Sequence, residues 1–189
     1  MIFLLDTNVF IESKKHFCAP DICPAFWQWL SDEGSRNPNV RSIWKVLDEL
    51  NAGTDDLPKW AQEKLPSDFF MPVDEEIVEE RRIMHDALDG NKQWEGGRLR
   101  SFLASADLWL IATAKVKGGC VVTNEFVNPG QARIKIPAVA EKFGVNCCTI
   151  YDAMRELGVR FPSYDKSGEG KKIVFENGRV VRREAPSFF

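Results

Sequence analysis

Short apolar runs alternate along the chain with longer segments whose apolar residues recur every three or four positions. Residues 1–5 are continuous and apolar, the pattern of a buried strand. Residues 120–123 and 145–150 read as two more strands, and 69–73 is a further apolar run. Residues 40–43 read either as a short strand or as the start of a helix. Helical patterns cover 9–15 and 24–31, the latter carrying Phe26, Trp27, Trp29 and Leu30. Val46, Leu47 and Leu50 mark a helix over 42–51 that Gly53 ends. Residues 57–65 form a short helix with Pro58 near its first turn. Asp74 is a candidate N-cap for an amphipathic helix over 75–88, with Ile77, Met84 and Leu88 on one face and Gly90 after it. Residues 104–117 make a largely buried helix, and 137–143 and 151–157 two short ones. Residues 34–39 and 90–97 read as loops.

Strands alternating with helices predict an α/β domain with a mainly parallel sheet. In such sheets chemistry gathers beyond the carboxyl ends of the strands. The C-terminal stretch differs. Asn177-Gly178 between two β-branched runs is a strong hairpin signal within 171–183. Lys166, Lys171, Lys172, Arg179, Arg182 and Arg183 make this region basic. The expected division is a core over 1–162 and a basic hairpin-bearing tail over 163–189.

A chain of 189 residues suits one domain with a small appendage, and its core needs no disulfides. With 44% hydrophobic and 28% charged residues it is expected to be globular. No apolar run reaches the roughly 20 residues of a membrane span, and the start lacks the features of a signal peptide. The expected location is the cytoplasm, with five cysteines, an odd number, kept reduced. Cys18 and Cys23 are too far apart for a zinc knuckle, adjacent Cys147-Cys148 is no chelating pair, and with only His16 and His85 besides, a zinc site is a poor expectation. A net charge of −3 argues against a generic nucleic-acid coat but not against a nuclease, whose acidic site lowers the sum.

Against this pattern four acids stand out. Asp6 closes the first apolar run. Glu49 lies in the 42–51 helix, Asp107 interrupts Ala106 to Ala112, and Glu125 follows Val121-Val122-Thr123-Asn124. A carboxylate beside a buried run costs desolvation unless it is paired. No Lys or Arg adjoins Asp6, Asp107 or Glu125 in sequence. If the four converge, their repulsion calls for a cation, and hard oxygen donors favour Mg²⁺ or Mn²⁺.

The ordered set Leu4-Leu5-Asp6-Thr7-Asn8, Val46-Leu47-Asp48-Glu49-Leu50, Ala106-Asp107-Leu108-Trp109 and Val121-Val122-Thr123-Asn124-Glu125 resembles the PIN-domain ribonuclease family. The likeness covers residues 1 to about 150 and is nearest to small prokaryotic proteins of the VapC toxin type, in a branch that shares Asp21-Ile22-Cys23-Pro24. It implies an α/β/α sandwich around a parallel sheet. It also implies a metal-dependent endoribonuclease, with Asp6, Glu49, Asp107 and Glu125 binding metal and supporting catalysis. Asn8 and Thr123 match positions that brace such a site by hydrogen bonds. The last acid is usually Asp in that family, and here it is Glu125. The resemblance further implies RNA as substrate, 5′-phosphate and 3′-hydroxyl products, a role as toxin with an antitoxin protein as partner, and a homodimer. The aromatic residues of 26–29 read as core or dimer contacts rather than base-stacking platforms, and together with Leu30 and Trp60 they are more apolar surface than the flanking helices need, which points to the same dimer.

Simpler readings stand beside these. Asp6 could cap a turn, and Asp107 suits the first turn of a helix by its dipole. Glu49 could be solvated with Asp48 inward, and Glu125 could be a surface residue. Arg81, Arg82, Arg98 and Arg100 could track an RNA backbone or simply form a solvated face. A haloacid-dehalogenase-like phosphatase needs a second Asp where Asn8 stands. A PIN-like domain kept as a binding module is the non-enzymatic alternative.

Overall fold

The computed structural model describes residues 1–89, 97–126 and 134–161, and the backbone of 174–176 and 179–181. Five strands form one sheet: β1 (Phe3–Leu5), β2 (Val40–Ile43), β3 (Phe70–Met71), β4 (Cys120–Val122) and β5 (Asn146–Cys148). Their order is β3-β2-β1-β4-β5, and every pair is parallel. Leu4 pairs with Arg41 on one side and Val121 on the other. Successive residues of a strand face opposite sides of its sheet. Phe3, Leu4 and Leu5 are all buried, as are Cys120, Val121 and Val122. Both faces of the central strands are therefore covered, as a parallel sheet requires.

The chain leaves β1, builds outward through β2 and β3, then returns to add β4 and β5 on the other side. The strand order thus reverses between β1 and β4. A crevice forms at such a point beyond the carboxyl ends.

The covering helices are α1 (Thr7–Glu12), which runs into a π-helical turn (Ser13–Phe17), α2 (Pro24–Arg36), α3 (Trp44–Asn51), α4 (Leu57–Lys64), α5 (Glu75–Asp89), α6 (Gly97–Ala104), α7 (Asp107–Lys117), α8 (Ile136–Lys142) and α9 (Ile150–Glu156). The fold is α/β with a parallel central sheet, in agreement with a PIN-like α/β/α sandwich. In the tail, β6 (Val174–Glu176) and β7 (Arg179–Val181) pair antiparallel, as Asn177-Gly178 predicts. The turn itself and the rest of the basic tail lie outside the described residues. Among the described residues no helix is long and apolar enough to cross a membrane.

Several boundaries differ from those expected, each for a local reason. Helix α2 continues through Gly34 to Arg36, where a loop was expected. A Cβ on Gly34 would lie 2.9 Å from Cδ2 of Phe69, so glycine here admits a ring and does not end the helix. Residues 40–43 resolve as strand. The segment before residue 104 is helix α6, whose Leu99, Phe102 and Leu103 are buried at helical spacing. Strand β5 stops at Cys148 because Thr149 caps α9. Its hydroxyl accepts from the Asp152 amide at 3.2 Å, and the Asp152 carboxylate reaches back to the Thr149 amide at 3.3 Å.

The aromatic residues expected on a dimer surface are mostly interior. Phe26, Trp27, Leu30 and Trp60 are all buried, and Trp29 packs partly against the same core. They fill the molecule's own core and offer no large patch to a second copy.

Candidate active site

Asp6 occupies the crevice between β1 and β4. Its amide continues the ladder to the Val122 carbonyl at 3.0 Å, which fixes the residue at the strand end. It stands at the N-cap of α1 but makes no side-chain capping bond. The carboxylate is instead held from β4, where the Thr123 hydroxyl donates to Asp6 Oδ2 at 2.9 Å. Asp6 is 3% exposed. Burial, then the charge of Asp107, pushes its pKa well above the usual aspartate range; the Glu125 charge adds to this, against hydrogen bonds from Thr123 and the Thr7 amide. An acid held in this state favours either a proton or a metal ion.

Asn8 and Thr123 are hydrogen-bonded to each other beside Asp6. Asn8 Nδ2 donates to Thr123 Oγ1 at 3.1 Å, and Asn8 Oδ1 accepts from the Asn124 amide at 3.1 Å. The first turn of α1 is thereby tied to the loop after β4.

Glu49 reaches the crevice from α3. Its Oε1 accepts from the Ala106 amide at 2.8 Å, and its Oε2 accepts from the Thr7 hydroxyl. Asp48, the alternative, is exposed and lies 3.6 Å from Lys45. Glu49 thus fastens the start of α7 to the start of α1. We expect Glu49→Ala to leave the buried Thr7 hydroxyl and Ala106 amide unpaired, at about 1–3 kcal/mol for each such group. Glu49→Gln keeps an acceptor and should retain most of the stability while losing the charge. Urea melts of both variants check this: equal losses would mean the hydrogen bonds contribute nothing.

Asp107 opens α7, its acid in the first turn as the helix dipole favours. Glu125 follows β4. Its Oε1 lies 2.6 Å from Lys135 Nζ, and its Oε2 accepts from the Ile136 amide, the first of α8, at 3.0 Å.

All four acids line a single cavity of about 830 Å³. Its described lining holds five carboxylates, with Glu12 the fifth, against two cations, Arg98 and Lys135. Among the described residues no three His, Cys, Asp or Glu side chains stand together as a ready metal-holding group. Glu49 and Glu125 each have both oxygens engaged by other donors. The donor chemistry still suits a hard dication, because a buried carboxylate facing other carboxylates gains most from one.

Sequence reasoning had not singled out Lys135, Thr7 or Asn124 for this cavity. Asn124 Nδ2 is a buried donor with no hydrogen-bond partner among the described residues, and Asn124 belongs to the cavity lining. Of the four arginines considered for RNA, Arg98 lines the cavity. Arg81 lies over the Trp109 ring at 4.3 Å and donates to the Leu103 carbonyl at 2.8 Å, so it is structural. Arg82 pairs with Glu79 and Asp86 on an exposed face.

A family model described as "Domain of unknown function (DUF4411)" matches residues 3–161. No curated protein and no solved structure matches the chain.

Proposed function

The chain belongs to the DUF4411 family, whose description names no activity, and we propose from its own site that it is a divalent-metal-dependent endoribonuclease of PIN type. The observation that carries this reading is Asp6. It is an acid at the strand-order reversal, held by Thr123, which Asn8 holds in turn, and raised in pKa first by burial and then by the charges of Asp107 and Glu125. Asp6 and Asp107 would hold Mg²⁺ or Mn²⁺, with Glu49 the third acid within the cavity. An ion held there would supply an activated water and a charge to offset that of the phosphate. The chain's own residues do the rest. Thr123 fixes the Asp6 carboxylate. Arg98 and the Asn124 side-chain Nδ2 are donors for phosphate oxygens. Asn8 keeps the two halves of the crevice in register.

The proposed setting is a toxin–antitoxin pair in the cytoplasm, with an antitoxin protein and a second copy of the chain as partners. This part rests on the motif resemblance alone. The phosphatase reading has lost ground, because Asn8 is spent as a brace and no acid stands in its place. A binding module without activity is favoured by one observation, the engagement of all four oxygens of Glu49 and Glu125.

Melting curves with and without Mn²⁺ test whether Asp107 helps to hold a metal, and an aryl phosphate assay beside them tests the phosphatase reading. Ligand linkage gives about 2.7 kcal/mol at a hundredfold excess over Kd, or roughly 5–11 °C for a chain of this size. The wild type should show this rise, and Asp107→Asn much less, while a generic aryl phosphate stays uncleaved. Equal metal shifts in both proteins would remove Asp107 from the site.

A further inference from the structure

We infer that Phe17 and Phe126 are stacking platforms for two unpaired bases of the RNA, one on each arm of the crevice. The inference rests on RNA as the ligand of the site, from the reading above, and adds to it how that ligand is held.

Phe17 is 50% exposed and Phe126 64%, yet both line the cavity that holds the four acids. A lone exposed ring needs no explanation, but two lining one polar cavity do. Rings left so open stabilise the fold little, since that gain scales with the area removed from water. An aromatic face takes any base, because every base has a π-face, and works beside positive charge that meets the backbone. Arg98 and Lys135 line the same cavity.

The arm after β1 is built to bring Phe17 there. Thr7, Asn8, Ile11 and Glu12 line the cavity as one face of α1, at the spacing an α-helix keeps on one side. Continued as an α-helix, that row would pass to Lys15 and His16. The chain instead makes its π-helical turn, closed by the Cys18 amide donating to the Ser13 carbonyl at 2.7 Å. This wider turn advances the row by one position, so that it runs from Glu12 to Phe17, and such turns are frequent at functional sites. Tyr151 meets the Phe17 ring in a T-shaped contact, with centroids 6.5 Å apart and planes at 82°. That contact steadies the ring and leaves half of it open.

The arm after β4 carries the second ring. Phe126 directly follows Glu125, whose amide donates to the Thr123 hydroxyl at 3.2 Å and whose carboxylate is held by Lys135 and the Ile136 amide. The backbone entering Phe126 is therefore fixed beside the acids. Phe17 stands roughly 15 Å along its helix from Thr7, so the two rings serve different nucleotides. A base in a duplex has neighbours on both faces, and the platforms admit RNA only where its strand is open.

The test is the affinity of the full chain for a short RNA without self-complementarity, read by fluorescence anisotropy with Mg²⁺ present. Asp107→Asn is used throughout as the parent, to keep the RNA whole. Phe17→Ala and Phe126→Ala should each raise Kd by roughly 5–150-fold, the effect of one lost base stack. Phe17→Trp should bind as tightly as the parent. Phe17→Leu, apolar but without a π-face, should bind as poorly as Phe17→Ala. A strand of abasic units should bind all of them alike. A Kd unchanged by either alanine substitution would overturn the inference and leave the ribonuclease reading intact. A loss that persists with the abasic strand, or that leucine restores, would do the same. So would altered sedimentation with unaltered RNA affinity, which would make the rings a contact between protein copies. No RNA binding by the parent would overturn both. Base-dependent binding beside a wild type that cleaves no RNA would uphold the platforms and remove the ribonuclease reading. Both rings are exposed, so the variants should melt as the parent does. If an alanine variant does not fold, Phe17→Trp against Phe17→Leu decides.

Discussion

Asp6→Asn should lower metal-dependent RNA cleavage by roughly 10²–10³-fold, the range lost when one electrostatic group is removed from a reaction centre. At neutral pH it should also raise the melting temperature of the metal-free protein. The second effect follows from the direction of the pKa shift. An acid whose folded pKa lies above its unfolded value binds protons more readily in the fold. Its contribution to stability is then lost as pH climbs from about 3.8 towards the raised value, and the penalty is complete above it. Asparagine carries no such penalty, escapes the repulsion of Asp107 and Glu125, and can still accept the Thr123 hydroxyl through its amide oxygen. Each kcal/mol recovered is worth about 2–4 °C in a chain of this size. Melts across pH 4 to 8, without metal, check the claim. The gap between variant and wild type should widen as pH rises. A variant less stable than wild type at neutral pH would make Asp6 a structural acid.

Trp27→Ala should have the largest effect on the fold itself. Trp27 is 1% exposed. Its ring meets Trp60 edge-on at 4.8 Å and Phe26 at 5.4 Å, and its indole N–H donates to the Cys18 carbonyl at 2.7 Å. Removing a buried tryptophan costs about 3–5 kcal/mol, or roughly 6–20 °C. The loss should be independent of protein concentration and of metal. A small change in melting temperature together with a weakened self-association would instead place Trp27 at an interface between copies.

The fold class was legible because the strands are short, apolar and buried on both faces, a pattern that survives without knowing what covers them. The crevice was legible for a related reason. Asp6 and Glu125 directly follow strands, so their position is set by the backbone. What escaped the sequence depends on contacts between distant residues. Gly34 looked like a helix stop until Phe69 was seen to pack against it. Helix α6 carried its signal in Leu99, Phe102 and Leu103, yet stood beside a glycine-rich stretch that resembled a loop. Glu125 had no cation near it along the chain, and Lys135 arrives from ten positions on by way of α8. The choice between Asp48 and Glu49 was likewise a matter of which helix face meets Thr7 and Ala106. The aromatic helices misled in the other direction, since hydrophobic side chains do not reveal whether they face a core or a partner.

The most direct test of the central claim is cleavage of a panel of RNAs by the purified full chain, with and without Mn²⁺, with the product ends mapped. The account predicts fragments carrying 5′-phosphate and 3′-hydroxyl ends that appear with Mn²⁺, disappear with a chelator and are absent for Asp107→Asn purified in parallel. Cleavage that survives the chelator or persists undiminished in Asp107→Asn, or no cleavage of any RNA by a protein that binds the metal, would contradict it.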